Sequence, residues 1–202
     1  MTCERCRAAH AHAVDDEKAE QFRNASDRIC GCENFRLSDH SPGPVADGEL
    51  LHMLVMDPQS IVDGWLHPSR IKRFTTSGQS VLRDGASDAE FELTAAQLQA
   101  NAYRASKKTR LAGILSFLTA NVRYCMTDRL LCVFDTAMEE KPNHADLMCP
   151  GLGPLSEDWS KNKRKKEEYE YAREVIIALG RMFNSPETFR NGMLAKYANP
   201  DT

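Results

Sequence analysis

Four cysteines near the start of the chain carry the pattern with the plainest chemical meaning. Cys3 and Cys6 form a Cys-x-x-Cys turn, and Cys30 and Cys32 form a Cys-x-Cys pair beyond a charged stretch. Zinc takes four soft ligands at tetrahedral corners, and a Cys-x-x-Cys turn supplies two of them without strain. Residues two apart on an extended segment project to the same side, so the second pair can complete the set. His10 and His12 are alternates for one thiolate. Four protein ligands close such a site to substrate, so the expected role of Zn2+ is structural. Free thiols and an iron–sulfur cluster are the competing readings.

A second group of residues has acid–base chemistry. His144 and Asp146 fall on one face if their segment is extended, and a histidine beside a carboxylate can exchange a proton with substrate. His52 interrupts an apolar run, His67 and Ser69 straddle Pro68, and Asp135 closes another apolar run. With His144 and Asp146 they are the candidate catalytic groups of one small pocket. The plainer reading makes His144 a turn cap beside Asn143 and His52 a core histidine with a local partner. No nucleophile elbow, Walker loop or dinucleotide fingerprint is present. Cys125 and Cys149 are thiols with no neighbour in sequence that would activate them.

The third feature is a basic run holding Lys161, Lys163, Arg164, Lys165 and Lys166, followed by Glu167, Glu168 and Glu170. On a helix these charges pair with one another at three- and four-residue spacing, which makes a solvated face the ordinary outcome. The alternative is a patch for a partner or for phosphates, with Tyr169 and Tyr171 near enough to stack on bases.

These residues need elements to position them. Val14, Phe22, Ala25 and Ile29 share a helical face, which predicts a helix running to Gly31 between the cysteine pairs. Glu49–Met56, Gln79–Leu82, Leu130–Phe134 and His144–Met148 read as strands, and Ser38–Gly48 as a loop. Pro58–Asp63 is expected to make one helical turn and Trp65–Phe74 an irregular or edge segment. Ser87 with Glu90, and Thr94 with Gln97, have capping-box spacing, predicting a short turn and then a helix from Ala95 to about Ser106. Arg110–Tyr124 is expected to form one or two strands. The regular spacing of Ala172, Val175, Ile176, Leu179, Met182 and Phe183 predicts a long helix over Glu157–Phe183, and Ser185-Pro186 opens a last one.

The fold class expected is therefore α+β: a small mixed or antiparallel sheet, two C-terminal helices, and a zinc-clipped helical arm at the N-terminus. Residues 1–36 would form the arm and residues 37–202 one domain, within the usual size range. A net charge of -3 and pI near 6.1 exclude a uniformly basic surface. No stretch reaches the roughly 18 apolar residues of a membrane span, and no apolar leader follows Met1, so a cytoplasmic, soluble chain is expected. The function expected is a non-enzymatic, zinc-stabilised module that binds a protein partner or nucleic acid. Its alternative is a small bacterial enzyme acting on a nucleotide or other metabolite through the His/Ser/Asp pocket.

Overall fold

The computed structural model describes residues 3–14, 17–26, 28, 30–57, 61–62, 65–66, 73–105, 110–124 and 131–151. The C-terminal helices, the Lys161–Lys166 run, His67, Ser69 and Cys125 lie outside the described residues.

The arm begins with α1 (Glu4–Ala11) and α2 (Lys18–Ala25), followed by a 3-10 turn over Gly31–Asn34. One helix reaching Gly31 was expected. Instead α2 stops at Ala25, because Ser26 is extended at φ -127° and ψ 147°. Val14 lies outside the helix and is 54% exposed, so it contributes nothing to the apolar face that Ala19 and Phe22 bury.

Then come β1 (Leu50–Asp57), β2 (Ile61–Val62), β3 (Trp65–Leu66), β4 (Gln79–Arg83), α3 (Asp88–Ala105), β5 (Arg110–Leu118), α4 (Thr119–Arg123), β6 (Cys132–Asp135) and β7 (His144–Met148). Five strands make one antiparallel sheet in the order β5-β1-β4-β7-β6, so the fold is α+β. β2 and β3 pair as a separate two-stranded ribbon, so positions 61 and 62 are extended rather than helical.

Cross-strand partners share a face, so the register sorts the side chains. His52, Leu82, His144 and Ser116 lie on one face, together with Ser80, Asp146, Phe134, Met148 and Cys132. Leu51, Phe117, Arg83, Val81, Ala145, Asp135, Leu147 and Val133 lie on the other. Most of these are buried on both faces, which explains the unbroken apolar runs of β1 and β6.

Two helical layers share the first face. α3 covers the β5-β1-β4 half through Phe91, Ala95, Leu54, Leu82 and Ile114. The arm covers the β7-β6 half through Ala19, Phe22, Leu37, Phe134 and Met148. Phe22 stacks on Phe134 with ring centroids 4.6 Å apart. α3 starts where its capping box predicts: the Ser87 amide donates to Glu90 Oε2 at 2.8 Å and the Glu90 amide to Ser87 Oγ at 3.3 Å. It then runs through Thr94 unbroken, so the second capping-box spacing marks no helix start.

Candidate functional site

β7 is extended, so His144 and Asp146 do share a face, and the chain leaving β6 brings Thr136 between them. The Thr136 hydroxyl donates to Asp146 Oδ2 at 2.8 Å and lies 2.9 Å from His144 Nδ1. His144 Nδ1 is also 3.1 Å from the Thr136 carbonyl, which can only accept, so Nδ1 carries the proton. Lys18, the first residue of α2, reaches across from the arm and donates to Asp146 Oδ2 at 2.5 Å. The Lys18 side chain is 14% exposed and that of Asp146 2%.

Electrostatics follow from this enclosure. Burial alone would push the Asp146 carboxyl up, but the Lys18 ammonium and the Thr136 hydrogen bond hold it well below the ordinary carboxylate range. Burial lowers His144 below the usual histidine value, Asp146 notwithstanding, and keeps the imidazole neutral. Burial likewise lowers Lys141, whose ammonium donates to Gln97 Oε1 at 2.9 Å. The result is a charge pair with a neutral histidine beside it, enclosed between arm and sheet.

The other candidates are arranged differently. His52 stands on the same face as His144 but two strands away, about 10 Å by strand spacing. Its Nδ1 is 2.8 Å from Ser116 Oγ and its Nε2 3.5 Å from Asp84 Oδ1, with its ring edge-on to Phe91. Asp135 lies on the opposite face. There burial raises its pKa, Ser41 donates a hydrogen bond to it, and Arg83 Nη1 sits 3.5 Å away. Arg83 itself clasps Glu49 through Nε at 2.6 Å and Nη2 at 2.9 Å. Of the catalytic candidates within the described residues, the fold brings together His144 and Asp146.

One surface pocket of about 480 Å³ opens beside this cluster, between α1 and the segments at Leu37–His40 and Ala137–Met138. Arg7 and Asp39, joined at 2.8 Å, and His10, Ser38 and His40 line it. His10 Nε2 is 3.3 Å from the Ala137 carbonyl and therefore bears the proton. Its Nδ1 and the Ser38 hydroxyl are buried atoms with no hydrogen-bond partner among the described residues.

The cysteines also converge, in a pairing that differs from the expected set. Cys6 is bonded to Cys32 and Cys30 to Cys132, with Cα–Cα distances of 5.5 and 5.4 Å. Cys3 is partly buried against the same cluster and forms no disulfide. As the sulfurs stand, no group of three or more His, Cys, Asp or Glu among the described residues could hold a metal ion. His10 lies at the pocket, and His12 follows α1 at an exposed position.

Lys18, Thr136 and Cys132 complete these clusters, and the sequence singles out none of them. Cys132 left one trace, a thiol in the middle of an otherwise aliphatic and aromatic strand. Comparison with protein-family models, curated proteins and solved structures finds no match. No helix among the described residues is long and apolar enough to cross a membrane.

Proposed function

We propose that this chain is a non-enzymatic, soluble, cytoplasmic binding module whose N-terminal arm is fastened to the sheet through sulfur, with zinc as the fastening ion where the thiols are reduced. One observation carries the reading. The histidine–carboxylate pair that would make an enzyme is closed in, with Asp146 neutralised by Lys18 and bonded by Thr136. A catalytic pair must reach the proton it transfers. This pair instead anchors the arm.

The binding surface proposed is the Lys161–Lys166 run, facing a nucleic acid or an acidic protein partner. Phosphate contacts release counterions, so a nucleic-acid complex weakens linearly with salt on logarithmic axes. Replacing Lys161, Lys163 and Lys165 together by Glu is expected to weaken that binding strongly and flatten the salt slope of what remains. Unchanged nucleic-acid affinity in this variant, with binding of an acidic protein lost, assigns the surface to a protein partner. Both retained would remove the run from the function.

The alternative, an enzyme acting on a small metabolite, is favoured by the pocket alone, where His10 Nδ1 and Ser38 Oγ have free hydrogen-bonding capacity. If the purified wild-type protein turns over no metabolite above a buffer blank, or if His10→Ala leaves its turnover unchanged, that reading falls.

A further inference from the structure

Five of the seven cysteines meet in one place. Cys6, Cys32 and Cys132 are fully buried among Phe22, Phe134 and Met148, and Cys3 and Cys30 pack against them. They come from α1, from the 3-10 turn and from β6. Cys30 and Cys32 flank Gly31, so this turn links the Cys6–Cys32 pair to the Cys30–Cys132 pair within one buried cluster. The turn is also seated on β6 without help from sulfur. Glu33 Oε2 accepts the Val133 amide at 2.8 Å, next to Cys132, and Arg123 Nε at 3.3 Å.

We propose that Cys6, Cys30, Cys32 and Cys132 form the structural zinc site of the reduced protein, with Cys3 outside it, and that the two disulfides are its oxidised, metal-free form. This deepens the zinc-fastened reading and rests on it. The chemistry balances with a dithiol reductant. Each disulfide takes two electrons and two protons from one dithiol, which leaves as its own disulfide. The four thiols then bind Zn2+ and release four protons. A zinc–sulfur bond of about 2.3 Å gives a tetrahedral sulfur–sulfur edge of about 3.8 Å, within reach of cysteines whose Cα atoms are 5.4 and 5.5 Å apart. The consequence is mechanical: with Cys132 as a ligand, the ion joins the arm to the sheet, whereas the Cys3 set would close the arm on itself.

The test uses the full chain purified under dithiol reductant, with zinc measured by mass spectrometry and thiolate ligation by Co2+ absorption. Wild type and Cys3→Ser are expected to hold about one ion each, with the same tetrahedral Co2+ spectrum. Cys132→Ser should lose at least about 100-fold in affinity, since even residues one layer beyond the ligands cost 10–100-fold. Cys3→Ser alters a partly exposed residue outside any disulfide, and it decides the question even if Cys132→Ser does not fold. A 100-fold loss in Cys3→Ser, or full zinc affinity in Cys132→Ser, overturns this ligand set and leaves zinc fastening intact. Reduced wild type without stoichiometric zinc overturns both.

Discussion

At Asp146 a carboxylate is held charged in a place where burial opposes it. A lysine 128 residues earlier in the chain makes that possible. Removing one partner of a buried pair leaves the other charge uncompensated, which costs about 3–5 kcal/mol. Lys18→Met is therefore expected to destabilise the protein by about that amount in urea unfolding. A change under about 1 kcal/mol would mean that Asp146 is held by other groups. His144 gives a pH signature. Its folded pKa lies below the ordinary histidine value of 6.5, so below that pH the unfolded chain binds a proton that the fold refuses. Stability is then full above about pH 6.5 and falls as the pH drops below it. Asp146 adds nothing to this window, because its contribution is lost only below the ordinary carboxylate range. His144→Asn should lessen the fall in urea midpoint between pH 7.5 and 5.5. An unchanged fall assigns it to other histidines. The alternation of one strand made His144 and Asp146 legible as a pair. Their closure by Lys18 and Thr136 was not legible, because it depends on where the arm docks.

Elements were legible where one physical signal dominated. Glu49–Met56 is apolar almost throughout and forms β1, displaced by a residue, and His144–Met148 is β7 as expected. Arg110–Tyr124 mixes signals. Its first part pairs with β1 as β5, and its second turns helical at Thr119, whose amide and hydroxyl both bond the Glu49 carbonyl, at 3.0 and 2.9 Å. That long-range bond has no local trace. The approach to β4 depends on Gly78, which has φ +83°, a conformation that side chains disfavour. A Cβ there would also meet Met148 Cγ at 2.9 Å and Asp146 Cβ at 3.2 Å. Gly78→Ala is expected to cost about 2 kcal/mol or more, from strain and overpacking together. Thermal unfolding checks this, and a stability equal to wild type would show that β7 shifts freely to make room.

The described residues together form an antiparallel sheet with a helical arm packed on one half of it and cross-linked to it by Cys30–Cys132. Cys30–Cys132 closes a loop of 102 residues and Cys6–Cys32 one of 26. A cross-link stabilises chiefly by restricting the unfolded chain, more for longer loops, so the first outweighs the second. Noncovalent contacts also hold the arm: the Phe22–Phe134 stack, the Lys18–Asp146 pair and the Glu33 bonds to β6 and Arg123. Reduction with a metal chelator present is thus expected to weaken the fold without abolishing it. The midpoint in urea should fall by the equivalent of about 2–5 kcal/mol. Proteolysis should begin in the arm, because α1 buries Cys6 alone of its side chains and has least to lose by opening. Adding zinc to the reduced protein should restore both stability and protease resistance, because the ion would replace two covalent bonds with four sulfur ligands at the same place. If the reduced, chelated protein is as resistant as the oxidised one, the noncovalent contacts suffice and the cysteines have no part in fastening the arm.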